Sequence, residues 1–189
     1  MVQLEQCIRD NFGINTNRFS EVVDFFQLES VAKGEYFVRE GNYCQKLSFI
    51  KSGFLRTYTY HNTKEITQWI SGTDQFITDL SSLLFHTPAK MNIQAISDST
   101  LFTISRKNYE KIGHVVPEWN HLEKLFIAKC FNILEDRVFS FLSMTAEERF
   151  HHFFKQNSEL FNEVPLHYIS SLLGMTPETL SRIRKKLIS

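Results

Sequence analysis

The sequence predicts an α+β protein in which an N-terminal antiparallel β-roll is followed by a long helix and a small helical C-terminal domain. Short β-branched and aromatic runs, separated by turn residues, fill residues 32–104. Apolar residues then recur at helical spacing over 117–144, with no glycine or proline after Pro117. Helix-capping signals begin at Thr145. We therefore expect three regions, at 1–116, 117–144 and 145–189.

The composition indicates a folded protein with balanced charge. The chain has 189 residues, of which 42% are hydrophobic and 18 are phenylalanine. A chain of this length should bury about 70% of its unfolded surface, so we expect a folded protein rather than an intrinsically disordered one. The 21 Lys and Arg residues equal the 21 Asp and Glu residues in number. Binding to nucleic acid would therefore require a local cluster of positive charge.

The three cysteines, Cys7, Cys44 and Cys130, lie far apart and show no metal-binding spacing. This indicates a reducing compartment, with buried structural thiols as the expectation and a redox-sensing Cys44 as the alternative. The N-terminus lacks the apolar segment of a signal peptide, and no uncharged run approaches about 18 residues. We expect a soluble, cytoplasmic protein without membrane contact.

The β-like runs recur every 8–12 residues, a spacing typical of a sandwich or barrel. The residues Lys51, Ser52 and Gly53 predict a tight turn that joins two antiparallel strands. The expected strands are 36–38, 47–50, 53–60, 66–70, 93–96 and 101–104.

The segment 117–144 predicts an amphipathic helix of about seven turns. Its length and its spacing by threes and fours favour a helix that packs along a domain and against a symmetry mate. A helix that packs only on its own β-domain is the alternative. The apolar positions are Leu122, Leu125, Phe126, Cys130, Ile133, Leu134, Val138, Phe141 and Leu142.

A second domain is predicted to begin with a capping box formed by Thr145 and Glu148. Further on, two short helices are expected to meet at a sharp turn. Pro165 suits the first position of one helix, and Gly174 supplies the left-handed conformation that ends it. Thr176 is expected to cap the next helix, with Pro177 at its first position. The predicted inward residues are Ile169, Leu172, Leu173, Leu180, Ile183 and Leu187, and small Ser170 would allow the helices to approach closely.

The last helix concentrates positive charge, because residues 178–189 hold four basic residues against Glu178 alone. Arginine can bind guanine through two hydrogen bonds, glutamate can accept from cytosine N4, and other cations can neutralise phosphates. Such a face suits a recognition helix in the major groove. A merely solvated charged face is the alternative. The candidate DNA-binding residues are Thr176, Pro177, Glu178, Ser181, Arg182, Lys185 and Lys186.

These motifs together resemble the Crp/Fnr family of transcription regulators. The segment 178–183, Glu-Thr-Leu-Ser-Arg-Ile, is similar to the family's Glu-Thr-Val-x-Arg signature. Gly34-Glu35, Arg39-Glu40-Gly41 and the run 49–53 resemble the two early turns of its β-roll. The resemblance implies a cyclic-nucleotide-binding-like jelly roll, a dimerisation helix and a C-terminal helix-turn-helix. It also implies a homodimer, base contacts by Glu178 and Arg182, a pseudo-palindromic site in double-stranded DNA, and RNA polymerase as a further partner.

The chain departs from the family at the effector pocket. Cyclic-AMP-binding members carry Phe-Gly-Glu-Leu followed by an Arg-Ser pair, whereas this chain has 76–80, Phe-Ile-Thr-Asp-Leu, and Ala89-Lys90. Without the arginine, the cyclic phosphate loses a charge-assisted contact, and a threonine blocks the close backbone approach that glycine allows. These departures argue against high-affinity cAMP binding. The candidate effector residues are Thr78, Asp79, Lys90 and Asn132, with surface or structural duty as the alternative for each.

Neither of the family's metal-based sensing chemistries fits the sequence. Three scattered cysteines cannot supply the four that hold an iron–sulfur cluster, and no histidine lies in a haem-ligand setting. We expect a cofactor-free protein without enzymatic activity. The sequence ends at Ser189, so the β-hairpin wing that usually follows the recognition helix is not expected. The competing hypotheses are a regulatory module that docks a protein instead of DNA and a metal-dependent β-barrel enzyme.

Overall fold

The computed structural model describes residues 2–13 and 19–188, and the chain divides into two compact units. The first unit comprises Met1–Thr57 and Ile70–Lys129. The second comprises Tyr58–Trp69 and Cys130–Ser189, so it takes in a short piece of the β-region together with the C-terminal third of the chain.

The order of helices and strands follows the predicted change from β-structure to helix. The helices are α1 (Val2–Phe12), α2 (Phe19–Val23), α3 (Leu80–Phe85), α4 (Arg106–Tyr109), α5 (Ile112–Val115), α6 (Trp119–Ser143), α7 (Ala146–Gln156), α8 (Leu160–Glu163), α9 (Leu166–Leu172) and α10 (Pro177–Ile188). The strands are β1 (Phe26–Val31), β2 (Tyr36–Val38), β3 (Lys46–Ser52), β4 (Leu55–His61), β5 (Lys64–Ser71), β6 (Phe76–Ile77), β7 (Asn92–Ala95) and β8 (Ser99–Ser105).

The strands form two four-stranded sheets, with the orders β1-β8-β3-β6 and β2-β7-β4-β5. In the first sheet, β8 lies between β1 and β3, and Ile104 pairs with Phe26 on one side and Leu47 on the other. Apolar side chains from strands of both sheets, together with Cys44 and Ala89 from the connections, meet in one core. The α+β fold with an antiparallel β-region is confirmed. The core residues are Val31, Phe37, Val38, Cys44, Ile50, Leu55, Ile77, Ala89, Ile93, Ala95 and Leu101.

The connection at Gly53 differs from the prediction. The sequence predicted a turn between two paired strands, but β3 and β4 belong to different sheets, so the turn carries the chain from one sheet to the other. Gly53 has a φ of 92°, and a Cβ atom there would lie 2.3 Å from the Ser99 Oγ and 2.6 Å from the Asp98 carbonyl oxygen. The glycine is therefore required by both backbone conformation and space.

All the predicted strands are present, and two further strands, β1 and β6, were missed. Strand β1 carries Gln27, Glu29 and Ser30, and most of its residues are exposed or half-buried, so it lacks the apolar pattern of a core strand. Strand β6 has only two residues. Its pairing with β3 depends on neighbours distant in sequence, which a local pattern does not encode.

An unpredicted N-terminal helix, α1, packs on the first unit through Phe12. The Phe12 ring centroid lies 6.1 Å from that of Phe49, 4.9 Å from that of Trp119 and 4.5 Å from that of Phe126. Aromatic contacts of this kind add to the burial of apolar area. Among the cysteines, Cys7 and Cys44 are buried as expected, and Cys130 is half-buried.

The long helix predicted at 117–144 is present as α6, a helix of 25 residues. Its residues 119–129 belong to the first unit and 130–143 to the second. The predicted apolar stripe is not buried along its whole length. Phe126 is buried and Leu122 and Cys130 are half-buried, whereas Leu134 and Val138, further along the helix, are 45% and 57% exposed.

The second unit contains the predicted capping box at the start of α7. The Thr145 amide donates to a Glu148 carboxylate oxygen at 2.7 Å, and the Glu148 amide donates to the Thr145 Oγ at 3.3 Å. The Thr145 amide and the Thr145 hydroxyl both donate to the Glu148 carboxylate, and these two hydrogen bonds lower the pKa of the Glu148 carboxyl below its ordinary value. Phe150 anchors the unit, its ring centroid lying 5.6 Å from that of Phe161.

The requirement for glycine at position 53 is tested by Gly53→Ala. We expect this variant to lower the free energy of unfolding by about 2–4 kcal/mol, because the new methyl group collides with the backbone of residue 98 and the positive φ is strained. Urea unfolding followed by circular dichroism measures the change. The control is Gly113→Ala, whose Cβ would lie 3.6 Å from Trp119 and whose effect should stay within about 1 kcal/mol. Equal changes in the free energy of unfolding for the two variants would contradict the requirement for glycine at position 53.

Candidate nucleic-acid interface

Helices α9 and α10 are joined by a tight turn at residues 173–176, as the sequence predicted. Gly174 has a φ of 65°, and its amide donates to the Ser171 carbonyl at 3.1 Å. The Met175 amide donates to the Ser170 carbonyl at 3.0 Å. These bonds satisfy carbonyls at the end of α9 that the helix itself leaves unpaired.

The ring of Phe141 lies against the turn. A Cβ atom on Gly174 would come within 2.6 Å of the Phe141 Cε1 atom, so no larger residue fits without displacing the ring. Within α9, Ser170 is 1% exposed and its hydroxyl donates to the His167 carbonyl at 3.0 Å. The small residues Ser170 and Gly174 therefore allow neighbouring elements to approach closely, Ser170 within α9 and Gly174 just after its end.

The start of α10 is capped as predicted, because the Thr179 amide donates to the Thr176 Oγ at 3.3 Å. Pro177 is the first residue of α10. Pro165 instead lies one residue before α9, at its N-cap position, which corrects the prediction that it is the first helical residue. Leu180 and Ile183 are buried, as expected, and the side chain of Leu187 lies outside the described residues.

Six of the predicted residues lie together on the outer face of α10. They line one open depression in the surface: Pro177, Glu178, Ser181, Arg182, Lys185 and Lys186. All six are exposed, and Thr176 is exposed beside them at the N-cap. The arrangement follows from helical periodicity, since the buried Leu180 and Ile183 turn the intervening positions outward.

The charged groups on this face differ in their partners. Hydrogen bonding to its own backbone amide, and next to the side chain of Thr176, lowers the pKa of the Glu178 carboxyl below the ordinary value, so it is ionised at neutral pH. The Lys186 ammonium lies 3.1 Å from a Glu147 carboxylate oxygen on α7. Lys185 has no ion-pair partner in the described part of the chain, and Arg182 likewise has none there.

The contacts of two side chains near the outer face of α10 were not predicted from the sequence. Glu147 pairs with Lys186, although α7 gives no signal of that pairing. Arg184 is half-buried, with its guanidinium carbon 5.8 Å from the centroid of the Phe161 ring, so it packs on the unit rather than facing outward. Only the position of Arg184 directly after inward Ile183 could have indicated this.

Three of the four candidate effector residues lie in the first unit, where the Thr78 hydroxyl, the Asp79 carboxylate and the Lys90 amide form hydrogen bonds within the protein. The Thr78 hydroxyl donates to the Lys46 carbonyl at 2.8 Å. One oxygen of the Asp79 carboxylate accepts from the Ser82 amide at 2.9 Å, and the other accepts from the Lys90 amide at 3.1 Å. Asp79 thereby caps α3 and ties it to the segment before β7.

Ala89, the residue before Lys90, is buried, and its backbone amide and carbonyl are both hydrogen-bonded. Ala89 is 3% exposed and belongs to the apolar core of the β-region. Its amide donates to the Asn42 carbonyl at 2.8 Å, and its carbonyl accepts from the Gly41 amide at 2.9 Å. Asn132, the fourth candidate, is exposed on α6 and belongs to the second unit.

Within residues 2–13 and 19–188, no group of three or more His, Cys, Asp or Glu side chains is placed to hold a metal ion. No helix there has the length and apolarity needed to cross a membrane.

Part of the chain, including most of the β-region, is similar to a known protein family. Residues 28–113 match the family model described as the cyclic nucleotide-binding domain. No curated protein sequence shows significant similarity to the chain.

Solved structures with the same fold include FixK2 and a mutant of CooA. FixK2 from Bradyrhizobium japonicum has a TM-score of 0.74 and 18% identity, over 86% of this chain and 84% of its own. A CooA mutant from Carboxydothermus hydrogenoformans has a TM-score of 0.67 and 20% identity, over 91% of this chain and 80% of its own. The structure described as cAMP-bound PfPKA-R matches only in part, with a TM-score of 0.54 and 22% identity. The match covers 59% of this chain and 40% of the PfPKA-R chain. At these identities the similarities establish the fold.

The structural role of Asp79 is tested by Asp79→Ala. The change leaves the amides of Ser82 and Lys90 without their acceptor, so we expect the free energy of unfolding to fall by about 1–2 kcal/mol. The control Asp136→Ala removes an exposed carboxylate on α6 and should change stability by less than about 0.5 kcal/mol. Thermal unfolding measures both, and an Asp79→Ala variant as stable as the control would refute the role.

Proposed function

We propose that the protein is a sequence-specific DNA-binding transcription regulator of the Crp/Fnr type. In this proposal, residues 145–189 form the DNA-binding domain and α9 and α10 form its helix-turn-helix. The observation that carries the proposal is the outer face of α10, where the exposed side chains of Glu178, Arg182 and Lys185 are held outward by a capped, anchored helix. The similarity to FixK2 and CooA supports it at the level of the fold.

The chemistry of this face suits the major groove. The Arg182 guanidinium can donate two hydrogen bonds to a guanine, and the ionised Glu178 carboxylate can accept from a cytosine amino group. Both residues lie on the first turns of α10, the part of a recognition helix that reaches the base edges. Lys185 is placed to neutralise a phosphate. Lys186 must exchange Glu147 for a phosphate, so its contribution is smaller.

Dimerisation through α6 is the second part of the proposal. Ile127, Phe131, Leu134 and Val138 are between 38% and 59% exposed and follow one another in steps of four, three and four residues. That spacing keeps them on one side of the helix, as in the seam of a two-stranded coiled coil. Large apolar side chains at such a seam stay in water unless a partner covers them, and a second copy of α6 offers a matching seam.

A dimer of this kind presents two recognition helices to DNA. It should favour a pseudo-palindrome whose half-sites lie about 34 Å apart or a multiple of that distance. RNA polymerase is a further proposed partner at promoters. The β-region would act as an effector domain that shifts the population of binding-competent dimers. We do not assign cAMP as the effector, because Ala89 supplies no guanidinium and the Asp79 carboxylate already accepts the Lys90 amide.

The base-reading role is tested by comparing Arg182→Ala with Lys185→Ala on the site selected from random DNA. Arg182→Ala should lose about 1–3 kcal/mol on the selected site and little on random sequence, because a base contact is removed. Lys185→Ala should weaken binding to all sequences alike and reduce the slope of log affinity against log salt by about one. Fluorescence anisotropy titrations at several salt concentrations measure both effects. A parallel, sequence-independent loss in both variants would contradict base reading by Arg182.

The dimer seam is tested by Leu134→Glu, which places a charge at the centre of the proposed interface. We expect the dimer dissociation constant to rise by at least about 100-fold, since two carboxylates would be buried without partners. The control is Leu125→Glu, the same change nine residues earlier and therefore on the opposite face of the helix. Sedimentation velocity measures the oligomeric state. Dimers of equal strength in both variants would place the interface elsewhere.

A further inference from the structure

Arg137 is a half-buried arginine whose guanidinium bridges two elements of the second unit. Its Nη2 donates to the Leu172 carbonyl, at the end of α9, at 3.0 Å. Its Nη1 donates to the Gln68 carbonyl on β5. One side chain on α6 therefore holds both the helix that precedes the turn and the strand beside it.

The surroundings of Arg137 suit a planar guanidinium. Its central carbon lies 5.2 Å from the ring centroid of Trp69 and 5.6 Å from that of Phe141. Among the residues that the structure describes, no carboxylate lies within salt-bridge distance of it. Burial lowers its pKa to about 10, so the charge persists at neutral pH. The charge is thus compensated by two carbonyl dipoles and two aromatic faces, a set that an ammonium group cannot match in geometry.

The same two elements are also joined by Ser171. The Thr67 amide on β5 donates to the Ser171 Oγ at 2.9 Å, and the Ser171 hydroxyl donates to the Glu65 carbonyl at 3.4 Å. These bonds occupy backbone groups of β5, an edge strand of its sheet. An edge strand presents backbone amides and carbonyls to its surroundings, and here the Ser171 hydroxyl of α9 and the Arg137 guanidinium of α6 form hydrogen bonds with such groups of β5.

Arg137 also fixes the turn that orients α10. Phe141, one helical turn further along α6, covers Gly174, and the Arg149 side chain donates to the Leu173 carbonyl at 3.1 Å. The last carbonyls of α9 are therefore held by two arginines, while α6 contacts the turn itself. Loss of Arg137 would leave the Leu172 and Gln68 carbonyls without these donors and would release α9 from β5 on one side.

We propose that Arg137 is a positioning residue for DNA binding, which fixes the direction of the α10 outer face relative to the dimer helix α6. The inference rests on the proposed function, because it concerns how two recognition helices are kept at a fixed separation. Arg137 contacts no DNA in this proposal. It restricts the angle of α9 and α10, so its loss widens the range of half-site separations that one dimer accepts.

The test uses the full chain and the site selected from random DNA by the wild-type protein. Affinity is measured for that site and for versions whose half-sites are moved apart or together by one base pair. In Arg137→Met, we expect the preference for the selected spacing to fall by about fivefold, within the range of residues that couple two sites. The preference for the correct bases within each half-site should be unchanged, because Arg182 and Glu178 are intact.

Two further variants separate geometry from charge and from stability. Lys129→Met removes a positive charge from α6 at a residue whose ammonium donates to the Asp10 carbonyl, and it should keep wild-type spacing preference. Arg137→Lys keeps the charge but cannot bridge both carbonyls, so it should lose spacing preference as Arg137→Met does. Hydrogen exchange at the Thr67 amide, which donates to Ser171, should become faster in both Arg137 variants.

The outcomes are distinct. Spacing preference within twofold of wild type in Arg137→Met overturns the inference, and so does an equal loss in Lys129→Met. A lower thermal midpoint with unchanged spacing preference also overturns it, since that result describes a purely structural residue. Tighter binding in Arg137→Met overturns it as well, because the bridge would then oppose DNA binding. A wild-type protein that selects no DNA sequence overturns the proposed function itself and removes the role of Arg137 with it.

Discussion

The turn at Gly174 is the constraint on which the exposed face of α10 depends. Only a residue without Cβ can adopt its left-handed φ while the Phe141 ring lies where a side chain would begin. The turn directs α10 so that Leu180 and Ile183 are buried, and burial of these two residues decides which side chains remain outside. The geometry of one glycine thus determines that Glu178 and Arg182 are available to a partner.

A second constraint operates in the β-region, where an internal carboxylate occupies amides that an anion could otherwise use. Asp79 accepts hydrogen bonds from Ser82 and Lys90, and neighbouring Ala89 lies in the apolar core. A carboxylate attached to the chain loses less entropy on binding these amides than a free ligand does. The segment around α3 is therefore stabilised by the protein's own residues, although residues 28–113 match the cyclic nucleotide-binding domain.

Helix α6 carries several roles because its surroundings change along its length. Trp119 and Phe126 are buried in the first unit, and further along the helix Arg137 and Phe141 contact the end of α9 and the turn at Gly174 in the second unit. Leu134 and Val138, in the same half of the helix, are exposed. Helical periodicity gives the direction of a side chain but not the neighbour that covers it, so the sequence predicted one apolar stripe without separating its buried positions from its exposed ones.

The sequence by itself determined the features that depend on neighbours in the chain: the run of strands, the length of α6, the capping box at Thr145, and the turn and inward positions around α10. Local backbone preferences and helical periodicity encode these. Tertiary structure decided the rest. It assigned β3 and β4 to different sheets, gave exposed β1 its place beside β8, paired Lys186 with Glu147, and brought Arg137 between Gln68 and Leu172. The pairings join residues far apart in the chain, and the sheet to which a strand belongs depends on distant strands. Only the packing of the folded chain decides them.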